Sequence, residues 1–253
     1  MQDKYVGDIG DFGKYALLKS LARSDLKLGI VWYLTSTKGR SGDGGFTQYL
    51  SSPNEAIGLG RCDLELFNRL GRIVRNKDRR VVRVREDHIL PAKPTFYEVG
   101  LDYNGIPLSQ RGQRREDWFA NALKQVEEAA LVFLDPDNGL SLNEQMRYRG
   151  AGPKYTFLNE VRPFLGRGQS LIIYCHQDRR KGGLVEQVRQ GLDLFRAVSP
   201  THEAWALTFH RRSVRIFFVV PTSKAMARLL AQRSRAFING SFGAAGHFRA
   251  WGL

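Results

Sequence analysis

Three stretches of this chain are apolar at nearly every position: Gly29-Ile30-Val31-Trp32-Tyr33-Leu34, Ala130-Leu131-Val132-Phe133-Leu134 and Leu171-Ile172-Ile173-Tyr174-Cys175. A strand turns successive side chains to opposite faces, so an unbroken apolar run reads as a strand buried on both sides. A sheet with one wet face would alternate instead. Between the runs lie segments of helical period: Asp11 to Arg23, Asp63 to Arg75, Glu116 to Ala129 and Leu184 to Ala197. In the first, Ala16, Leu17, Leu18 and Leu21 form the apolar face, and Asp11 suits an N-terminal cap or a first-turn acid. Strands alternating with helices predict an α/β fold of the Rossmann-like kind, with a mostly parallel sheet and helices on both faces.

Weaker signals fill in the rest. Arg80 to Val84 reads as a short strand, and Lys154 to Leu165 as a helix that Pro163 should end or kink. Ala204 to His210 and Ser213 to Val220, separated by Arg211 and Arg212, predict a C-terminal antiparallel hairpin at the sheet edge. Ser223 is placed to cap a last helix reaching Arg235. No repeat breaks the 253 residues, so one α/β domain over 1–253 is expected, with an irregular insertion near 91–112. No apolar run is long enough to cross a membrane, and the first residues lack the apolar stretch of a signal peptide, so a cytoplasmic address is the expectation. Two cysteines exclude both a disulfide framework and a four-cysteine zinc site.

Charge narrows the partners. Thirty-nine basic against twenty-five acidic residues leave a net +14, and arginine outnumbers lysine 28 to 11. Guanidinium groups grip phosphate in pairs and stack on bases, so RNA or DNA is the expected partner. The alternative is a solvated basic surface with no specific ligand.

In open sheets of this kind ligands bind beyond the carboxyl ends of the strands. Three loops lie there. Asp135-Pro136-Asp137-Asn138-Gly139 sets a carboxylate on a strand end and stiffens the turn behind it, where it can accept from an amine or ligate a metal; a plain turn is the alternative. His176, Arg179, Arg180 and Lys181 offer a base or ligand and a phosphate-holding cluster. Lys38 to Gly45 is glycine-rich but holds neither a dinucleotide nor a nucleoside-triphosphate fingerprint. Near the N-terminus, Gly7-Asp8-Ile9-Gly10-Asp11-Phe12-Gly13-Lys14-Tyr15 puts Asp11 and Lys14 on one helix face. Its glycines suit the close approach of an anion, and its charges equally suit an intrahelical ion pair.

That N-terminal stretch, its helix, the strand after it and the Asp-Pro element together resemble the bacterial family that methylates an exocyclic adenine amine in large-subunit ribosomal RNA. The terminal hairpin also suits the wider S-adenosylmethionine-dependent class. The resemblance implies a class I methyltransferase sheet, with S-adenosylmethionine held by Asp11, Lys14, Tyr15, Thr35, Ser36 and Gly42, and Lys14 on the cofactor carboxylate. It implies catalysis by Asp135, Pro136, Asp137 and Asn138: Asp135 and the Pro136 carbonyl would accept from the target amine. His176, Arg179, Arg180 and Lys181 would face the nucleic acid. Asp137 and Asn138 stand where that family has a proline and an aromatic, and no acid precedes the loop at Thr35-Ser36. Two other readings stay open. One is a Mg²⁺- or Mn²⁺-dependent nuclease or phosphohydrolase with Asp135 and Asp137 as metal ligands. The other is a catalytically inactive nucleic-acid-binding relative.

Overall fold

The computed structural model describes residues 1–36, 44–90 and 94–253. In chain order the elements are α1 (Ile9–Ala22), β1 (Leu28–Trp32), α2 (Pro53–Cys62), α3 (Leu64–Arg75), α4 (Val82–Glu86), β2 (Thr95–Tyr97), α5 (Leu108–Gln125), β3 (Leu131–Asp135) and β4 (Gly139–Ser141). There follow β5 (Tyr155–Phe157), α6 (Leu158–Gly166), β6 (Ser170–His176), α7 (Gly183–Val198), β7 (Trp205–Arg211), β8 (Ser213–Val220), α8 (Lys224–Asn239), α9 (Ser241–Ala244) and β9 (Phe248–Trp251).

Seven strands form one sheet in the order β2-β1-β3-β6-β8-β7-β9. The four strands β2, β1, β3 and β6 run parallel to their neighbours, while β8 lies antiparallel to both β6 and β7, and β9 antiparallel to β7. Alternate residues of the apolar runs feed two cores. Ile30, Trp32, Leu131, Phe133 and Ile172 pack with α1, α3 and α8, through Leu17, Leu70 and Leu230. Val31, Tyr33, Val132, Leu134 and Ile173 pack on the opposite face with Trp118, Phe164 and Phe195 of α5, α6 and α7. Helices therefore cover both faces, as the unbroken apolar runs require. No helix among the described residues is long and apolar enough to cross a membrane.

Several elements differ from the sequence expectation. Arg80 to Val84 is not a strand: α4 begins at Val82, and Val81 and Val84 are only 2% and 1% exposed. Two residues three apart share a face only in a helical turn, so burial overrides the β-branched pattern. The stretch near 91–112 is no simple insertion, because Thr95–Tyr97 adds a parallel edge strand beside β1 and α5 already begins at Leu108. Lys154 to Leu165 splits into β5 and α6, and α6 runs on through Pro163 to Gly166. The hairpin is not the sheet edge, since β9 from the glycine-rich tail pairs outside β7. The helix α2 gave no periodic signal through its glycines; it starts on Pro53, with Ser52 Oγ accepting from Glu55 N at 3.4 Å.

A buried ion pair ties the small β4–β5 sheet to the main body. Arg115 of α5 meets Glu160 of α6 through Nε–Oε1 at 2.5 Å and Nη2–Oε2 at 3.0 Å, with both side chains inaccessible. The same guanidinium donates to the Gly152 and Tyr155 carbonyls, and Glu160 accepts from Phe157 N. Removing one partner of such a pair strands the other charge. Arg115→Met should therefore lower the unfolding free energy by about 3–5 kcal/mol. Arg80→Ala, which removes the exposed pair with Asp78, should leave the urea midpoint nearly unmoved; equal shifts would contradict this assignment.

Candidate active site

The register of the sheet sets Trp32 of β1 opposite Asp135 of β3, and His176 of β6 opposite Arg215 of β8. These strand ends and the N-terminus of α1 enclose a cleft of about 470 Å³. Its lining includes Asp8, Asp11, Lys14, Asp135, Pro136, Asp137, Asn138, Tyr174, His176 and Arg215.

Asp8, rather than Asp11, caps α1: its Oδ1 accepts from Gly10 N at 2.9 Å. Arg215 Nη2 donates to the same oxygen at 3.1 Å, while Oδ2 accepts from Phe46 N at 3.1 Å. The close approach at Gly10 is internal. A Cβ there would stand 2.1 Å from Arg215 Nε, so the glycine makes room for the arginine.

Lys14 is the centre of the arrangement. Its ammonium lies 2.9 Å from Asp11 Oδ1 and 2.9 Å from Asp135 Oδ2, joining α1 to the end of β3. The rings of Tyr15, Trp32 and Tyr174 surround it, with centroids 5.5–5.7 Å away. Tyr15 donates its hydroxyl to Asp11 Oδ2 at 3.1 Å. Burial alone would depress the Lys14 pKa, but the Asp11 and Asp135 carboxylates outweigh it and hold the pKa above the ordinary lysine value. Burial raises the pKa of Asp11 and of Asp135, with Lys14 pulling each the other way. None of the described residues donates a hydrogen bond to the second Asp135 oxygen, Oδ1.

Asp137 has separate partners. The Met1 amino group lies 2.5 Å from its Oδ1, and Gln2 Nε2 donates to Oδ2 at 2.7 Å. The Met1 ammonium thus pairs directly with this buried carboxylate. Burial pushes the Asp137 pKa up, but the Met1 ammonium, Gln2 and Lys154 together bring it below the ordinary value. The turn after Asp137 is held by Asn138, whose N donates to the Lys154 carbonyl and whose O accepts from His176 N. Gly139 follows at φ +112°, and a Cβ there would collide with Cys175 at 2.7 Å. Burial pushes the Cys175 thiol up to about 12.

The structure thus brings Asp11, Lys14, Asp135, Pro136, Asp137, Asn138 and His176 to one cleft. Tyr15 stands behind Asp11, and Thr35 Oγ1 lies 3.5 Å from Asp137 Oδ2. Ser36 donates to Asp102 from both its N and its Oγ, so a carboxylate reaches this loop from a distant segment. Gly42 lies outside the described residues. In the basic cluster, Arg180 folds back onto Asp178 and Gln190, whereas Arg179 and Lys181 are exposed and have no ion pair among the described residues. Tyr174 Oη lies 3.4 Å from His176 Nδ1. The cleft also takes in Tyr174, just ahead of His176, and Met1, Phe46 and Arg215, the last three of which no motif or spacing marks. Among the described residues no three or more His, Cys, Asp or Glu side chains gather as a metal-binding group. Compared with models of protein families and with curated proteins, the chain matches none of them.

A carboxyl whose folded pKa is raised favours the folded state on the acid side, and that contribution is lost as pH rises through the raised value. Asp137 works in reverse: its contribution is present above the unfolded aspartate value and is lost as pH falls through the lowered one. Lys14→Met removes the cation that counters burial and lowers the pKa of both Asp11 and Asp135. Urea unfolding of this variant should show a loss of stability larger at about pH 7 than at about pH 4.5. A loss equal at both values would show that the ammonium does not bridge the pair.

Proposed function

We propose that the protein is a methyltransferase that moves a methyl group from S-adenosylmethionine to the exocyclic amine of a base in RNA or DNA. The observation that carries this reading is the place of Asp135-Pro136-Asp137-Asn138, at the carboxyl end of β3 and in the lining of the cleft. Asp135 is held there through one oxygen by Lys14. The N-terminal motif and the Asp-Pro element carry the resemblance to the ribosomal RNA adenine methyltransferases, and both line this cleft although more than a hundred residues separate them. The parallel strands and the β7–β8 antiparallel pair also suit that class.

The cleft fits the cofactor in size and charge. Its volume lies in the range of small-molecule sites. Carboxylates of Asp8, Asp11, Asp135 and Asp137 line it, which suits a ligand carrying a sulfonium and an ammonium. Lys14 is less suited to the cofactor carboxylate than the resemblance implies, because two aspartates already hold its ammonium. Arg215 is the better-placed cation; its guanidinium donates to Asp8 and to the Arg211 and Ser213 carbonyls, and a guanidinium has five donors.

S-adenosylmethionine supplies the activated methyl group. Asp135 Oδ1 would accept one N–H of the target amine and the Pro136 carbonyl the other, leaving the nitrogen lone pair aimed at the donor. Positioning is then the main contribution, and Lys14 keeps Asp135 ionised and fixed. A paired base would have to leave its duplex to enter. Calorimetric titration should show S-adenosylmethionine binding with a Kd in about the micromolar range without divalent metal. Asp135→Asn should retain donor binding and cut methyl transfer to RNA or DNA about a hundredfold or more. No binding heat up to about millimolar donor would overturn the reading.

A further inference from the structure

We propose that Phe46 and Arg212 form a stacking platform for an unpaired nucleobase at the mouth of the cleft, so that the substrate is a single-stranded segment of nucleic acid. This rests on the reading above and adds to it the substrate's form. Phe46 is 40% exposed, a large apolar ring left open to solvent. It lines the main cleft and also a neighbouring groove of about 400 Å³ bordered by Gln48, Ser52, Glu55 and Arg211. The ring therefore stands on the wall between two cavities.

Its backbone is fixed on both sides. Phe46 N donates to Asp8 Oδ2 at 3.1 Å, and its carbonyl accepts from Ile9 N at 3.0 Å. An exposed ring on an anchored backbone is a rigid surface that loses little freedom when something stacks on it. Above it, Arg212 sits between the paired residues Arg211 and Ser213 at the tip of the β7–β8 turn, with φ +64°. A non-glycine residue in that region costs free energy, and the conformation places the Arg212 guanidinium 5.3 Å from the Phe46 ring centroid. Arg211 is paired with Glu55, whereas Arg212 is exposed and has no ion pair among the described residues.

An exposed aromatic face beside an unneutralised guanidinium is the pairing that single-stranded nucleic acids use: bases stack on the ring, and the cation meets the base face or the phosphate. The net +14 of the chain favours a polyanion over an apolar protein partner. In a duplex both faces of each base are covered by stacking, so this platform selects unpaired bases.

The test is fluorescence anisotropy of the full chain with labelled single strands of about twelve nucleotides, RNA and DNA, beside the annealed duplex and without methyl donor. The wild-type protein should bind a single strand more tightly than the duplex. Phe46→Ala should weaken single-strand binding about tenfold or more, and Phe46→Trp should preserve it. Arg212→Ala should weaken binding and reduce the salt slope by about one. Thermal melting of each variant checks the fold. Phe46→Ala or Phe46→Leu binding as wild type, or duplex bound as tightly as single strand, would overturn the proposal. Donor calorimetry separates the two readings. Donor binding with Phe46 insensitivity would overturn the platform alone, and single-strand binding without donor binding would overturn the methyltransferase alone.

Discussion

A buried ammonium between two carboxylates is the interaction on which the centre of this molecule depends. Lys14 joins the first helix to the end of the central strand β3 through Asp11 and Asp135. None of the three could sit at that depth alone, since an isolated buried charge loses its hydration and shifts toward its neutral form. Together they fix Asp135 at the edge of the cleft. The strands behind them are rigid, with side chains packed on both faces.

The neighbouring charges extend the same logic. Asp8 caps α1 and receives Arg215 from β8, so the helix N-terminus is bound to the reversed strand as well as to β3. Asp137 is met by the Met1 amino group, Gln2 and Lys154. Asp8, Asp135 and Asp137 each meet a cation from another element, and Asp11 meets Lys14 of its own helix. The helix start, the end of β3 and the antiparallel strand β8 are thereby tied around one volume.

Much of this was legible in the residues. The unbroken apolar runs forced a sheet covered on both faces, and the rule that ligands bind beyond strand ends pointed to Asp135-Pro136-Asp137-Asn138 and His176. The i,i+3 spacing of Asp11 and Lys14 left an intrahelical ion pair as one of two readings, and that pair forms. The third member, Asp135, lies 121 residues from Lys14, beyond the reach of local spacing. The strand pattern at Arg80 to Val84 misled because Val81 and Val84 are buried on one helical face. The strand β9 was hidden because Phe248–Trp251 is too short for a period to show. Arg215 lies within the otherwise apolar strand β8, and its place in the cleft follows from the pairing of β8 with β6. Phe46 gave no signal, since its position depends on backbone bonds to α1.

The most direct test of a charged clamp at the heart of the proposed donor site is a pH titration of the lysine side chains by ¹³Cε NMR, with and without S-adenosylmethionine. The chain has eleven lysines. One resonance, assigned to Lys14 by substitution, should titrate above the others, as its two aspartates require, and should shift on adding the donor. If Lys14 titrates with the exposed lysines and the donor leaves its resonance unmoved, the account of this site is wrong.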